Sequence, residues 1–158
     1  MATRQVTLRP GASRDIAAVD ALMAASFDPR FGEAWTHGQV LGVLAMPGVR
    51  LTLAFIDNVP AGFALVRTVL DEAELLLLAV APDFRRQGIG GALLRAAIAD
   101  VEQSGTKIMH LEVRAGNEAG RLYAQNGFHK VGERRGYYRS VTGTAHDAHS
   151  YRRFSPEK

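Results

Sequence analysis

The chain contains no cysteine. That excludes disulfide bonds, thiolate metal sites and a cysteine nucleophile, so any acyl transfer would proceed without an acyl-cysteine intermediate. It also lacks an unbroken apolar run of about 18 residues, the length a membrane-spanning helix needs. The start, MATRQVTLRP, has no apolar core of the secretory type, and the expected compartment is the cytoplasm. Neither charge sign is in large excess: 19 basic residues against 16 acidic ones leave a formal +3, too little to argue for nucleic acid or a membrane surface as partner. Internal repeats, low-complexity tracts and long linkers are missing as well. What remains is 158 residues, 47% hydrophobic and 22% charged, expected to form a single domain over residues 1–158 with a core that needs no covalent staple.

Periodicity then divides the chain. QVTLR alternates as a strand does, and Ser13 or Asp15 is placed to cap a helix carrying Ile16, Val19, Leu22 and Met23. A second short helix is predicted over His37–Ala45, ended by Pro47-Gly48. RLTLAFI and AGFALVRTVL flank DNVP as the arms of a hairpin. EAELLLLAVAP suits a strand buried on both faces and ending at Pro82. Beyond it the pattern predicts a helix with Ile89, Leu93, Leu94, Ala97, Ile98 and Val101 inward, the strand KIMHLEV, and a short helix around Glu118–Gln125. GFHKVGERRGYYRS and a last strand over Ala148–Phe154 complete a mixed α/β sheet.

RRQGIGGALL, from Arg85 to Leu94, places glycines where the central helix begins. Glycine there lets a ligand approach N–H groups that have no intrahelical partner, and the positive helix end with Arg85 and Arg86 favours a phosphate. A phosphate-binding P-loop is excluded because no Gly-Lys-Ser/Thr follows. The dinucleotide fingerprint fails too, since Leu93 stands where its third glycine belongs. The spacing that fits is Arg85-x-x-Gly88-x-Gly90, read as a pyrophosphate seat or, alternatively, as glycines allowing close helix–sheet packing.

LAVAPDFRRQGIGGALL, LEVRAGN and LYAQNGF, in that order, resemble the landmarks of the GNAT N-acetyltransferases. DEAELLLLAV, HLEVRAGN, LYAQNGF and RRGYY resemble more particularly the bacterial ribosomal-protein N-terminal alanine acetyltransferases. The resemblance implies a mixed, centrally splayed sheet of about six to seven strands flanked by about four helices. It implies acetyl-CoA as cosubstrate, no metal, and a protein N-terminus as acceptor, with the alanine of ribosomal protein bS18 as the substrate. By the same resemblance Arg86, Gln87, Gly88, Ile89, Gly90 and Gly91 hold the pyrophosphate, and Leu78, Ala79 and Val80 pair with the pantetheine amides in a strand-addition geometry. Asn117 is the matching asparagine beside the cofactor, although the segment from Asn117 to Tyr123 is one residue shorter than the family's usual spacing. The implied acceptors also include a small-molecule amine or a lysine side chain, and a non-catalytic CoA-binding module is the reading from a different class.

Acetyl transfer to an amine needs a neutral amine, a stabilised oxyanion and a proton for the departing thiolate. An α-amine, with a reference pKa of roughly 7.7–8.0, demands less of a base than lysine at about 10.4. Alternation in IMHLEV puts Ile108, His110 and Glu112 on one face of a strand. The resemblance makes Glu112 the general base, with Glu74 as the rival and a salt bridge to Arg114 or a helix arginine as the structural alternative. Tyr123 is the matching general acid, or an aromatic packed between helix and sheet. The oxyanion contact falls to the Val80 N–H by analogy. His146 and His149 sit three apart in a strand, face opposite sides, and are expected in solvent rather than on a metal. His110 is a candidate relay or a packed histidine. Tyr137 and Tyr138, within the basic stretch Arg134–Arg139, are expected to line the acceptor groove rather than bind RNA, and Trp35 either walls that groove or fills the core.

Overall fold

Short-range signals set most of the elements. The computed structural model describes residues 5–156, so the outermost residues of the expected 1–158 domain lie outside the described residues. Strand β1 (Val6–Gly11) leads through a 3₁₀ turn into helix α1 (Ile16–Ser26), which buries Val19, Leu22 and Met23. Asp15 stands at the N-cap of α1, but its carboxylate accepts from the Ala12 N–H at 2.9 Å and from Arg9 at 3.0 Å. The expected cap is therefore a clamp on the entering chain. Helix α2 (His37–Leu44) starts with a capping box, Thr36 Oγ1 accepting from the Gln39 N–H and Gln39 Oε1 from the Thr36 N–H.

Strands β2 (Val49–Ile56) and β3 (Val59–Val69) form the expected hairpin. Its turn residues Asp57 and Asn58 both take positive φ, 49° and 68°, the geometry that matches strand twist and that Asp and Asn tolerate best after glycine. Then follow β4 (Glu72–Val80), α3 (Ile89–Gln103), β5 (Ile108–Arg114), α4 (Ala119–Gln125), β6 (His129–Arg139) and β7 (Ala145–Phe154). The described residues make a seven-stranded sheet in the order β1-β2-β3-β4-β5-β7-β6, with β4 and β5 parallel and the other neighbours antiparallel. Helices α1 and α2 pack on one face, α3 and α4 on the other. Among the described residues no helix is long and apolar enough to cross a membrane.

Two strand expectations change. β7 begins at Ala145 rather than Ala148, because it lies between two partners of unequal length. β5 ends opposite it at Arg114↔Ala148, whereas β6 continues the pairing to Arg139↔Ala145. Strand β4, expected buried on both faces, does pack into both cores, burying Ala73, Leu75, Leu77 and Ala79, but at its start Glu72 and Glu74 are exposed. Its partners Leu65↔Leu77 and Val66↔Leu75 leave Leu76 as an extra, bulged residue. The bulge exchanges the faces: Ala73 and Leu75 join the core under α3, Leu77 and Ala79 the core under α1 and α2.

At the same place β4 parts from β5. Parallel pairing joins Glu72–Leu75 to Ile108–Leu111 and goes no further, although β5 stays paired with β7 through Arg114. The sheet is thus splayed at its centre, and residues 76–80 present an open strand edge.

Candidate active site

A groove of about 560 Å³ occupies the splay, lined by Leu78, Ala79, Val80, Gly90, Asn117 and Leu122 among others. At its β4 side the glycine loop turns sharply, with Arg86 at φ 63° and Gly88, the N-cap of α3, at φ 78°. The N–H groups of residues 86–91 have no acceptor among the described residues, the first N-terminal bond of α3 being Ala92 N–H to Gly88 O. Six adjacent donors at the positive end of a 15-residue helix fit an anionic ligand. Arg86, Gln87 and Gly88 are exposed, whereas Ile89 is in the core and offers only its backbone. A side chain at Gly90 would project toward Leu122 and Val80, into the groove wall. Arg85 lines the groove, but its guanidinium is engaged elsewhere. It turns back to the Val80 and Ser26 carbonyls at 3.2 and 2.8 Å, tying the end of β4 to the end of α1.

A smaller cavity of about 140 Å³ adjoins the groove, sharing Phe27, Glu33, Leu78, Asn117 and Ala119 with it. It is lined by Glu112 from β5, Glu74 from β4, Tyr123 from α4, and Tyr137 and Tyr138 from β6. The alternation read in IMHLEV holds, with Met109, Leu111 and Val113 buried and Glu112 turned to the cavity. Glu112 Oε2 accepts from Ser150 Oγ at 2.6 Å, and Oε1 pairs with Arg134 Nε at 3.1 Å. Its ion-pair partner thus comes from β6, not from Arg114 or a helix. Tyr138 donates from its hydroxyl to the Glu112 carbonyl at 3.1 Å, and burial raises the pKa of that phenol well above its ordinary value. Burial likewise pushes Tyr123 up, with the Glu33 charge acting in the same direction, so its phenol stays protonated. Glu74 is also raised, chiefly by desolvation and then by the charge of Glu112 across the cavity.

Asn117 lies where the two compartments meet. Its Oδ1 accepts from the Ala119 N–H at 2.9 Å and so caps α4, while Nδ2 donates to Glu33 Oε2 at 3.1 Å. Trp35 does both things expected of it, lining the cavity and packing on the core under α1 and α2. His146 and His149 are half-buried rather than in solvent. His146 Nε2 meets the Arg30 carbonyl at 3.0 Å and its ring meets Phe31 edge-on, because the α1–α2 connection folds over β7. His110 Nε2 lies 3.4 Å from Glu72, on the same face as Glu112. Among the described residues no group of three or more His, Asp or Glu side chains is placed to hold a metal ion.

The acetyltransferase (GNAT) family profile matches residues 19–128, from α1 through the glycine loop to the end of α4. The chain belongs to the acetyltransferase (GNAT) family. The [ribosomal protein bS18]-alanine N-acetyltransferase of Escherichia coli K12 is 46% identical over 84 residues, 52% of this chain and 57% of that protein. The chain therefore spans little more than half the length of that relative in the sequence match. The Haemophilus ducreyi protein of the same name is 36% identical over 115 residues, 72% of this chain and 79% of that one. In three dimensions the E. coli ribosomal-protein-S18-alanine N-acetyltransferase superposes with a TM-score of 0.85 at 30% identity, covering 98% of this chain and 97% of the other.

Within this GNAT fold the structure gathers Glu112, Tyr123 and Asn117 around one cavity, with Leu78, Ala79, Val80 and Gly90 along the adjoining groove. The contacts of three participants escape a reading of the sequence. Ser150 and Arg134 hold the Glu112 carboxylate from β7 and β6, strands that follow it in the chain, and Glu33 enters from the α1–α2 connection. Arg134 opens the basic stretch already noted, but nothing in that stretch points to Glu112; Ser150 carries no local pattern, and for Glu33 the signal is a carboxylate close before the sole tryptophan in FGEAWT.

Proposed function

We propose that this GNAT protein transfers the acetyl group of acetyl-CoA to the N-terminal α-amine of a protein, in the cytoplasm, with the N-terminal alanine of ribosomal protein bS18 as the substrate. The observation that carries the reading is the meeting of two compartments: a groove with a free strand edge and unpaired N–H donors opens into a small cavity bearing a carboxylate and a buried phenol. The groove fits CoA, with residues 86–91 on the pyrophosphate, Leu78–Val80 on the pantetheine amides and Asn117 beside it. When bound, acetyl-CoA supplies an activated acyl group with a thiolate leaving group. Glu112, held by Ser150 and Arg134, takes a proton from the substrate's α-ammonium, and the neutral amine so formed attacks the thioester carbonyl. Tyr123, protonated because it is buried, delivers a proton to the thiolate. The Val80 N–H faces the developing oxyanion. With no cysteine in the chain, attack is direct in a ternary complex.

A second reading gives the base role to Glu74. What favours it is that desolvation and the neighbouring Glu112 raise its carboxyl, which improves a base working near neutral pH. The test maps acetylation by mass spectrometry on a peptide with a free N-terminal alanine and an internal lysine. Modification confined to the α-amine, lost in Glu112→Gln and kept in Glu74→Gln, is the expected result. Loss in Glu74→Gln alone transfers the base to Glu74; modification of lysine, or none from a preparation that binds acetyl-CoA, rejects the N-terminal assignment.

A further inference from the structure

Tyr123 stands on α4, a helix of seven residues. A helix that short has little stability of its own, so its place opposite Glu112 depends on what grips its ends. Its C-terminal side is packed, the Tyr123 ring meeting Phe128 and Tyr151 at centroid distances of 5.9 and 6.3 Å. Its N-terminal side is held by Asn117, whose Oδ1 caps Ala119 and whose Nδ2 reaches across the site to Glu33. The other oxygen of Glu33 accepts from Arg114 Nε at 3.0 Å, and the Arg114 guanidinium lies over the Phe31 ring, 3.7 Å from its centroid. The segment that carries Glu33 is itself pressed onto the far end of the sheet. A Cβ on Gly32 would run into the Arg139 carbonyl, and the Arg30 carbonyl meets the His146 ring.

The two carboxylate oxygens of Glu33 thus take one donor each, one from β5 and one from the start of α4. The side chains are only 10% exposed for Glu33 and 15% for Arg114, so a charge that loses its partner is poorly solvated. Glu33 also stands in the wall common to the cavity and the groove.

We infer that Glu33 is a positioning residue that latches the α1–α2 connection across the splayed sheet to Arg114 and Asn117 and thereby sets α4, and Tyr123 with it, opposite Glu112. The inference rests on Tyr123 being the proton donor of the proposed reaction. It makes the contact between residues 33 and 117 specific in polarity: an acceptor must face a donor.

That polarity can be reversed. In Glu33→Gln the amide can still accept from Arg114, but its NH₂ then faces the NH₂ of Asn117. In Asn117→Asp two carboxylates face each other. In the double variant the amide introduced at position 33 donates to the carboxylate introduced at position 117, whose second oxygen still caps α4, and the total charge is that of the original chain. The emission of Trp35, the sole tryptophan, close to Glu33 in sequence and in the cavity wall, reports the latch without any turnover. Each single variant is expected to shift Trp35 emission to the red and lower the melting temperature. Glu33→Gln is also expected to lower kcat by about tenfold while KM for acetyl-CoA stays within about threefold. The double variant is expected to recover the emission, the melting temperature and most of the lost kcat. Single variants with unchanged emission and kcat, or a double variant whose losses are the sum of the singles, overturn the latch. If the unaltered protein transfers nothing to a peptide, the proposed reaction fails, while emission and melting still decide whether residues 33 and 117 are coupled.

Discussion

At the scale of single residues, the state of one proton decides the behaviour of the site. Burial and the Glu33 charge raise the Tyr123 phenol, and a raised phenol remains a donor as pH climbs. The acceptor has the opposite sense: an α-amine becomes a nucleophile only as it loses its proton, around 7.7–8.0. The rate constant kcat/KM is therefore expected to rise with pH and level off, with no descending limb below about pH 10. A profile recorded from acid to alkaline pH checks this, and a fall centred between the two values removes Tyr123 as the donor. Tyr123→Phe is expected to lower kcat by roughly 10²-fold. The side to which Glu112 turns was legible because strand alternation points it away from Met109, Leu111 and Val113, while its candidacy as base came from the resemblance to the GNAT enzymes. Glu33 was not, since its partners lie 81 and 84 residues along the chain and no periodicity spans such distances.

Among the elements, the glycine loop and β4 show how local rules succeed and fail. Gly88 has φ 78°, and nothing lies within 4 Å of a Cβ built on it, so a substitution there meets conformational cost rather than collision. An L-residue in that region costs roughly 1–2 kcal/mol. Gly88→Ala is expected to lower the unfolding free energy by about that amount in urea titration, and to weaken acetyl-CoA binding by calorimetry as the adjacent N–H donors move. An unchanged affinity would detach the loop from the cofactor. The loop was legible because glycines at the start of an amphipathic run leave unpaired N–H groups open to a ligand, and because its flanking segments resemble the GNAT landmarks. The bulge in β4 was not: Leu75, Leu76, Leu77 and Leu78 are identical side chains, and a change of face leaves no mark on a run without alternation.

For the whole molecule, β3 is the strand on which both cores meet. Phe63 and Leu65 point to one core, Ala64 and Val66 to the other. Phe63 is completely buried, and Phe63→Ala is expected to cost about 3–5 kcal/mol, a large share of the roughly 5–15 kcal/mol that holds a domain together. If the chain is one domain, as we propose, near- and far-ultraviolet circular dichroism will follow a single shared transition in both proteins; two separate transitions would divide it. The strands, the helices and a donor loop of phosphate type were readable from the amino-acid sequence alone, because capping, turn chemistry and side-chain period act over a few residues, whereas the candidate carboxylate and phenol were picked out by resemblance to the GNAT enzymes. The insertion of β7 between β5 and β6, the inward turn of Arg85 and the grip of Glu33 on Arg114 and Asn117 were decided only by the tertiary structure. Each joins groups far apart in the chain, and only packing of the folded sheet brings their charges and backbone edges within bonding distance.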